Sequence, residues 1–522
     1  EAGLIATGAG FIPRPATITF DLYRQSLNAL GQTVTEGPIA SQTKTIARDM
    51  AASQQQVTFT NLPPYNSAGN PYTYYVDEGP VTGYDKSPDP VTSATNAITN
   101  TLRTLSIHGT KAWEGDSAVK ETQRPASIQI RLTGRAGTRV VVDQVQTVDT
   151  NHTDTWTFDF TGLPEYDNST TPGTQIAYTI QESGSPGYAL YVGGTPVPEA
   201  GTQVSFTGQS AAVALRNVMQ SNDLEGQKTW VNHGFTGVQP SDLYIQLMRS
   251  YTDTTGTVAE AVGARVQVQA PWTWSFTGLP KVNPATNTDY TYFVEEFANA
   301  TGTEKPLGYN DTTAAAGMNK QNELKLVDVA VQKTWQDEGS TSRPASITVT
   351  VTGTASAGGT AFYTWSSGPV AMTAANTTVS GSTWTYTIED LPEYAYHEAT
   401  RTYVPIDYAV TEATVNGYKA PVYAPAQRSG GTWTLGITNE LDPISFPATK
   451  RWEDQALAGV TGPFAMRPAT IRINLYRDSV DASGQTVTEG PIAFETLNRV
   501  TAAEQQVTFT NLPPYNSASN PY

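Results

Sequence analysis

No cysteine occurs in the 522 residues of this chain. Disulfides, thiolate metal sites and any cysteine nucleophile or thioester are therefore excluded, and an extracellular role would need cross-linking or stabilisation of another kind. No apolar run approaches the roughly 18 to 20 residues that a membrane-spanning helix requires, and no charged-then-apolar signal opens the chain, so no direct membrane insertion is expected of this segment. Basic residues are the minority, 31 against 48 acidic, and the net charge of −17 argues against nucleic acid as a partner. The few histidines, His108, His152, His233 and His397, stand far apart without metal-ligand spacing, and neither a Gly-rich phosphate loop nor a nucleophile elbow occurs. No metal, no cofactor and no turnover on an outside substrate are expected.

What the chain has is repetition. "KAW" at Lys111, "KTW" at Lys228 and Lys333, and "KRW" at Lys450 mark repeated starts. Each is followed by Arg-Pro or a relative of it (Arg124-Pro125, Gln239-Pro240, Arg343-Pro344, Arg467-Pro468) and then by an alternating strand such as "ASIQIRL" or "ASITVTV". An aromatic strand running into Leu-Pro comes next, as in "WTFDFTGLP" and "WTYTIEDLP", then a strand ending in glutamate, a Gly-Tyr pair and a last strand ending in asparagine. Each unit of roughly 100 to 115 residues reads as a β-sandwich, and no helix is expected. The divisions fall at 1–104, 105–220, 221–326, 327–442 and 443–522.

"GQTVTEGPIA" at 31–40 recurs at 484–493, and "QQVTFTNLPPYNSA" at 55–68 recurs at 505–518. The first unit thus lacks its Lys-x-Trp strand and the last is C-terminally incomplete. The expectation is a window cut from a longer array, with completion of the ends by neighbouring subunits as the alternative.

Three polar residues recur on apolar strand faces. In "VAVQKTW", Lys333 shares a face with Val329, Val331 and Trp335 because strand side chains alternate. The glutamates sit likewise: Glu78 behind Tyr74 and Val76, Glu182 behind Tyr178 and Ile180, Glu296 behind Tyr292 and Val294, Glu412 behind Tyr408 and Val410. Asn217 follows Val213 and Leu215, and Asn439 follows Leu435 and Ile437. From each asparagine to the next lysine the spacing is constant at eleven residues: Asn100 to Lys111, Asn217 to Lys228, Asn322 to Lys333, Asn439 to Lys450. Buried without partners, such groups would each cost several kcal/mol, so they must at least bond one another. A plain buried ion pair is one reading. The other is chemical: burial favours a neutral amine and a neutral acid, the amine attacks the asparagine carbonyl with glutamate shuttling protons, and ammonia leaves behind a Lys–Asn isopeptide bond.

Taken together, "K-x-W", "RP-x-x-I", "LP-x-Y", "Y-x-V-x-E" and "T-N" resemble the B-type (Cna B-type) repeat domains of Gram-positive collagen adhesins and related pilins. The resemblance implies an all-β tandem array of immunoglobulin-like sandwiches forming an elongated rod, with first and last strands of each joined by that bond. The complete sets would be Lys111, Glu182 and Asn217; Lys228, Glu296 and Asn322; Lys333, Glu412 and Asn439. Glu78 with Asn100 lacks a lysine, and Lys450 lacks both partners. The third unit departs most, with Gln239 for arginine and no tyrosine after its Leu-Pro. A load-bearing stalk, pilus-like fibre or adhesin shaft on a bacterial surface is the expected function, with neighbouring copies of the same protein as partners. The alternative is an adhesin binding host matrix or other cells through loops such as 357–382 or 186–203.

Overall fold

The computed structural model describes residues 4–46, 50, 54–149, 155–197, 201–340, 343–454, 466–481, 483–499 and 502–522. They group into two compact units, residues 1–225 with 249–260 and 275–292, and residues 226–248 with 261–274 and 293–522. The division passes through the third repeat.

In the first unit, the second repeat is a two-sheet sandwich. Ser127–Ala136 alternates buried Ile128, Ile130 and Leu132 with outward Gln129 and Arg131, as a half-buried strand must. It pairs with Arg139–Asp149 on one side and with the glutamate strand Thr174–Ser183 on the other. The facing sheet is built round Thr104–Glu114, which carries Lys111. That strand runs antiparallel to Thr155–Pro164 and parallel to the closing strand Ser210–Met219. Ile107, Trp156, Phe158 and Leu163 fill the space between the sheets with Ile130, Leu132 and Tyr178. Burying such side chains stabilises by about 1.5–3 kcal/mol each.

In the second unit, the fourth repeat repeats the plan. Leu326–Gln336 runs antiparallel to Thr383–Pro392 and parallel to Thr432–Glu440, over a facing sheet in which Ser346–Ala357 pairs with the glutamate strand Asp407–Glu412. Val329, Val331, Val351, Met372 and Ile437 form its core. The Leu-Pro motif has a structural role in every copy that has a glutamate strand. The hydroxyls of Tyr74, Tyr178, Tyr292 and Tyr408 donate to the carbonyls of Pro63, Pro164, Pro280 and Pro392 at 2.6, 2.7, 2.7 and 2.8 Å. This bond satisfies a phenol that burial would otherwise penalise.

The constant eleven-residue spacing has a simple origin. At three of the four junctions a single residue separates the closing strand of one repeat from the first strand of the next: Arg103 between Thr99–Leu102 and Thr104–Glu114, Gln220 between Ser210–Met219 and Ser221–Val231, Lys325 between Lys320–Leu324 and Leu326–Gln336; at the fourth, residues 441–443 lie between Thr432–Glu440 and Ile444–Arg451. Each residue is also pinned. The N–H groups of Arg103, Gln220 and Lys325 donate to the carbonyls of Gly83, Gly187 and Gly308, and those of Lys281 and Glu393 in the following repeats donate back to the carbonyls of Gln220 and Lys325, all at 2.8–3.0 Å.

Two findings depart from the sequence reading. A single helical turn, Lys120–Gln123, lies where no helix was expected. Its Gln123 side chain is buried and donates to the Val282 carbonyl of the third repeat at 2.8 Å, so the turn is held by tertiary contact rather than by propensity. The duplicated "QQVTFTNLPPY" also adopts two conformations. Glu504–Leu512 is a strand paired with Ile444–Arg451, whereas residues 56–60 form no strand. Among the described residues only the second copy has a partner strand, and a strand needs a ladder to join. A cleft of about 640 Å³ lies in the first repeat, lined by Ile18, Phe20, Val57, Val76, Glu78 and Asn100 among others.

Candidate cross-linking site

Strand register brings lysine and asparagine together in the same way three times. Lys111 lies opposite Leu215 and Trp113 opposite Asn217. Lys333 lies opposite Ile437 and Trp335 opposite Asn439. Lys228 lies opposite Lys320 and Trp230 opposite Asn322. The asparagine is therefore diagonal to the lysine on the same inward face of two parallel strands, within reach of a long side chain. The glutamate arrives from the facing sheet.

Lys111 and Lys333 have no exposed surface, and Asn217, Asn322 and Asn439 are equally buried. The Lys228 and Lys333 amines lie 2.8 Å from Glu296 Oε2 and Glu412 Oε1, and the Lys111 amine lies 3.5 Å from Glu182 Oε2. Asn217 Nδ2 donates to Glu182 Oε1 at 2.6 Å, and Asn322 Nδ2 makes the matching bond to Glu296 Oε1. The third repeat, the most divergent in sequence, thus assembles a full trio. The fourth differs: the Asn439 amide has no hydrogen-bond partner among the described residues, although its lysine and glutamate are paired. In the first repeat Asn100 Nδ2 donates to Glu78 Oε1, and the lysine beside them is Lys86, opposite Asn100 on the neighbouring strand, whose amine donates to the Glu78 backbone carbonyl at 3.2 Å and pairs with Asp77 at 2.7 Å; in the last repeat Lys450 is half-buried over Trp452.

Burial dominates the electrostatics. It pushes the ammonium groups of Lys111, Lys228 and Lys333 down to about 8, against the opposing pull of the neighbouring glutamates. It raises the carboxyls of Glu182 and Glu78 above the usual range. Beneath each amine lies the tryptophan two residues on. The Nζ atoms stand 4.3, 4.6 and 4.4 Å from the ring centroids of Trp113, Trp230 and Trp335. This explains the Lys-x-Trp motif, because residues two apart on a strand share a face and the ring stabilises the cation. The asparagine carbonyl oxygens Oδ1 of all three sets are buried and unpaired among the described residues.

Sequence reading missed a second layer. Arg124 of the Arg-Pro motif grips Asp116 through Nε and a terminal nitrogen at 2.6 and 2.9 Å, and the Tyr188 hydroxyl donates to the same carboxylate at 2.8 Å. Arg343, Asp337 and Tyr418 repeat this at 2.7, 2.7 and 3.0 Å. In the third repeat both charges are absent together. Asn232 Nδ2 donates to Gln239 Oε1 at 2.8 Å, and the Tyr309 hydroxyl donates to Asn232 Oδ1 at 2.7 Å. The available signal was the Asp or Asn two or three residues after each Lys-x-Trp tryptophan.

The described histidines lie apart from the trios. His108 pairs with Asp159, His233 with Glu323 and His397 with Thr400, while His152 lies outside the described residues. Among the described residues no group of three or more His, Cys, Asp or Glu side chains is placed to hold a metal ion. No helix among the described residues is long and apolar enough to cross a membrane.

Tandem β-sandwiches whose first and last strands lie parallel, with a buried lysine, glutamate and asparagine between the sheets, define a class of repeat proteins. The chain belongs to the Cna protein B-type domain family, whose model matches residues 11–101, 107–205, 224–322 and 329–440. Its amino-acid sequence is 26% identical over 479 residues to a collagen adhesin of Staphylococcus aureus, covering 90% of this chain and 34% of that protein. The chain therefore spans about a third of the length of that relative. Among solved structures, two B repeat units of the collagen-binding protein of S. aureus are similar at 21% identity, 82% of this chain, 94% of theirs and a TM-score of 0.21. The major pilin of Streptococcus pyogenes is similar at 11% identity, 65% of this chain, 99% of its own and a TM-score of 0.21.

Proposed function

We propose that the chain is a load-bearing stalk or shaft of a bacterial surface protein whose complete repeats lock themselves by Lys–Asn isopeptide bonds. The observation that carries this reading is the repeated burial of an amine, a carboxyl and a carboxamide on facing strands at the point where the chain enters and leaves a domain. Lysine Nζ attacks asparagine Cγ, the new C–N bond forms, the Cγ–Nδ2 bond breaks and ammonia leaves. Glutamate takes the proton released by the amine and returns it to the leaving nitrogen. With the amide turned so that its oxygen faces Glu182, a protonated carboxyl donates to that oxygen and polarises the carbonyl; the raised carboxyl supports this state. Water is excluded, and held geometry can supply about 7–11 kcal/mol of the barrier.

A load pulling on both ends of such a repeat runs from the lysine strand through the new bond into the asparagine strand. The enclosed loop of roughly 100 residues also raises stability by about 4.7 kcal/mol, in the chain-entropy model used for disulfides. Neighbouring copies of the protein are its proposed partners on the outer surface of the cell. Similarity to a protein described as a collagen adhesin carries a second reading, adhesion to host matrix or cells through loops such as 357–382.

Intact mass of the denatured chain tests the bonds. Three cross-links remove three ammonia molecules, about 51 Da in all. A folded chain at its full sequence mass would leave only buried polar trios.

A further inference from the structure

The Asp–Arg–Tyr layer lies outside the reacting trio, and three observations tie it to the reacting amine. The tyrosine that bonds the acid also packs edge-on against the lysine's tryptophan. Ring centroids are 4.7 Å apart for Trp113 and Tyr188, 4.7 Å for Trp230 and Tyr309, and 4.8 Å for Trp335 and Tyr418. The Arg124 guanidinium reaches the same ring, 5.7 Å from the Trp113 centroid on which Lys111 sits. The indole N–H groups of Trp113, Trp230 and Trp335 are buried with no hydrogen-bond partner among the described residues, so no bond of their own fixes the rings. Ring contacts hold them instead: the tyrosine, and a second tryptophan, Trp156, Trp272 or Trp384, with centroids 5.1, 5.5 and 5.4 Å away.

The third repeat shows what this layer needs. Asp becomes Asn and Arg becomes Gln together: the tyrosine bond is kept, and a single amide–amide bond donated by Asn232 to Gln239 takes the place of the two-pronged Arg–Asp pair. Either change alone would bury an unmatched charge, which is costly. The joint change preserves geometry and discards charge. A merely electrostatic influence on the lysine would not survive it.

We propose that Asp116, Arg124 and Tyr188, with Asn232, Gln239 and Tyr309 and with Asp337, Arg343 and Tyr418, are positioning residues for isopeptide formation, clamping the tryptophan so that its face holds the lysine amine against the asparagine. This rests on the cross-linking reading above. The clamp comes from the loop between the first two strands and from the Gly-Tyr turn, so the amine is set only once both have docked. A reacting atom displaced by about an ångström loses up to about a hundredfold in rate.

The test follows ammonia loss repeat by repeat. The 522-residue chain is made by cell-free synthesis, quenched at intervals and mapped by protease digestion and mass spectrometry, with the fourth repeat as internal control. Asp116→Asn and Arg124→Gln, each alone, are expected to slow cross-linking of the second repeat by about tenfold or more. The pair together, which installs the third repeat's chemistry, is expected to recover most of the rate. Tyr188→Phe, which removes one hydroxyl and leaves the ring, is expected to slow the reaction while the repeat stays protease-resistant; it carries the test if a charge variant fails to fold. Single variants that cross-link at the unaltered rate, or a double variant no faster than the singles, would overturn the proposal. Absence of ammonia loss from every repeat of the unaltered chain would instead sink the cross-linking reading itself.

Discussion

Lys333 Nζ and Glu412 Oε1 stand 2.8 Å apart with neither side chain exposed to solvent. A pair this deep gains little over an apolar pair, but halving it leaves a bare charge. In a chain that already carries Asn439→Ala, and so cannot cross-link there, Lys333→Met is expected to cost the fourth repeat about 3–5 kcal/mol. Adding Glu412→Leu should restore most of that. Hydrogen exchange along Leu326–Gln336 reads both steps, and a double variant as weak as the single would refute the pairing argument.

The rate of cross-linking should depend on pH in a bell. The reactive state holds one proton between amine and carboxyl. Lowering the pH through the raised carboxyl range of Glu182 adds a second proton and blocks the nucleophile. Raising it through about 8, where burial has placed Lys111, removes the shared proton and with it the acid. Timed mass mapping of the second repeat between pH 5 and pH 10 checks this; a rate still climbing beyond about pH 9 would contradict it.

The first repeat should become reactive if given a lysine strand. Residues 442–453 placed directly before Glu1 reproduce the spacing of Lys450 to Arg467 as the spacing of the added lysine to Arg14. The expected result is a strand over residues 56–60 and one more loss of about 17 Da, abolished by Asn100→Ala or Glu78→Gln. A mass unchanged by the added strand would show that Glu78 and Asn100 do not form a competent half-site.

Tyr178→Phe and Tyr408→Phe should each destabilise their own repeat by about 1–3 kcal/mol, because the buried carbonyl of Pro164 or Pro392 loses its donor. Denaturant midpoints of the second and fourth repeats provide the measurement.

Strand alternation made much of this architecture legible in the sequence. Lys111, Glu182 and Asn217 share faces with aliphatic residues, and repetition separated that pattern from chance. Gln239 read as a defect of the third repeat because its compensation, Asn232, lies seven positions away across a loop whose path the sequence does not specify. The contrast between residues 56–60 and Glu504–Leu512 was illegible for a different reason: identical residues reach different structures when, among the described residues, only one copy has a partner strand. Nor does residue identity reveal that Asn439 lacks the glutamate bond that Asn217 makes, since that depends on ångström-scale placement.

The one-residue junctions have a consequence for survival outside a cell. A protease must draw several residues of extended chain into its cleft, and it finds them in loose interdomain segments. At Arg103, Gln220 and Lys325 the backbone passes from one sheet to the next with its N–H already engaged. Digestion at these positions has to wait for a strand on one side or the other to peel from its sheet.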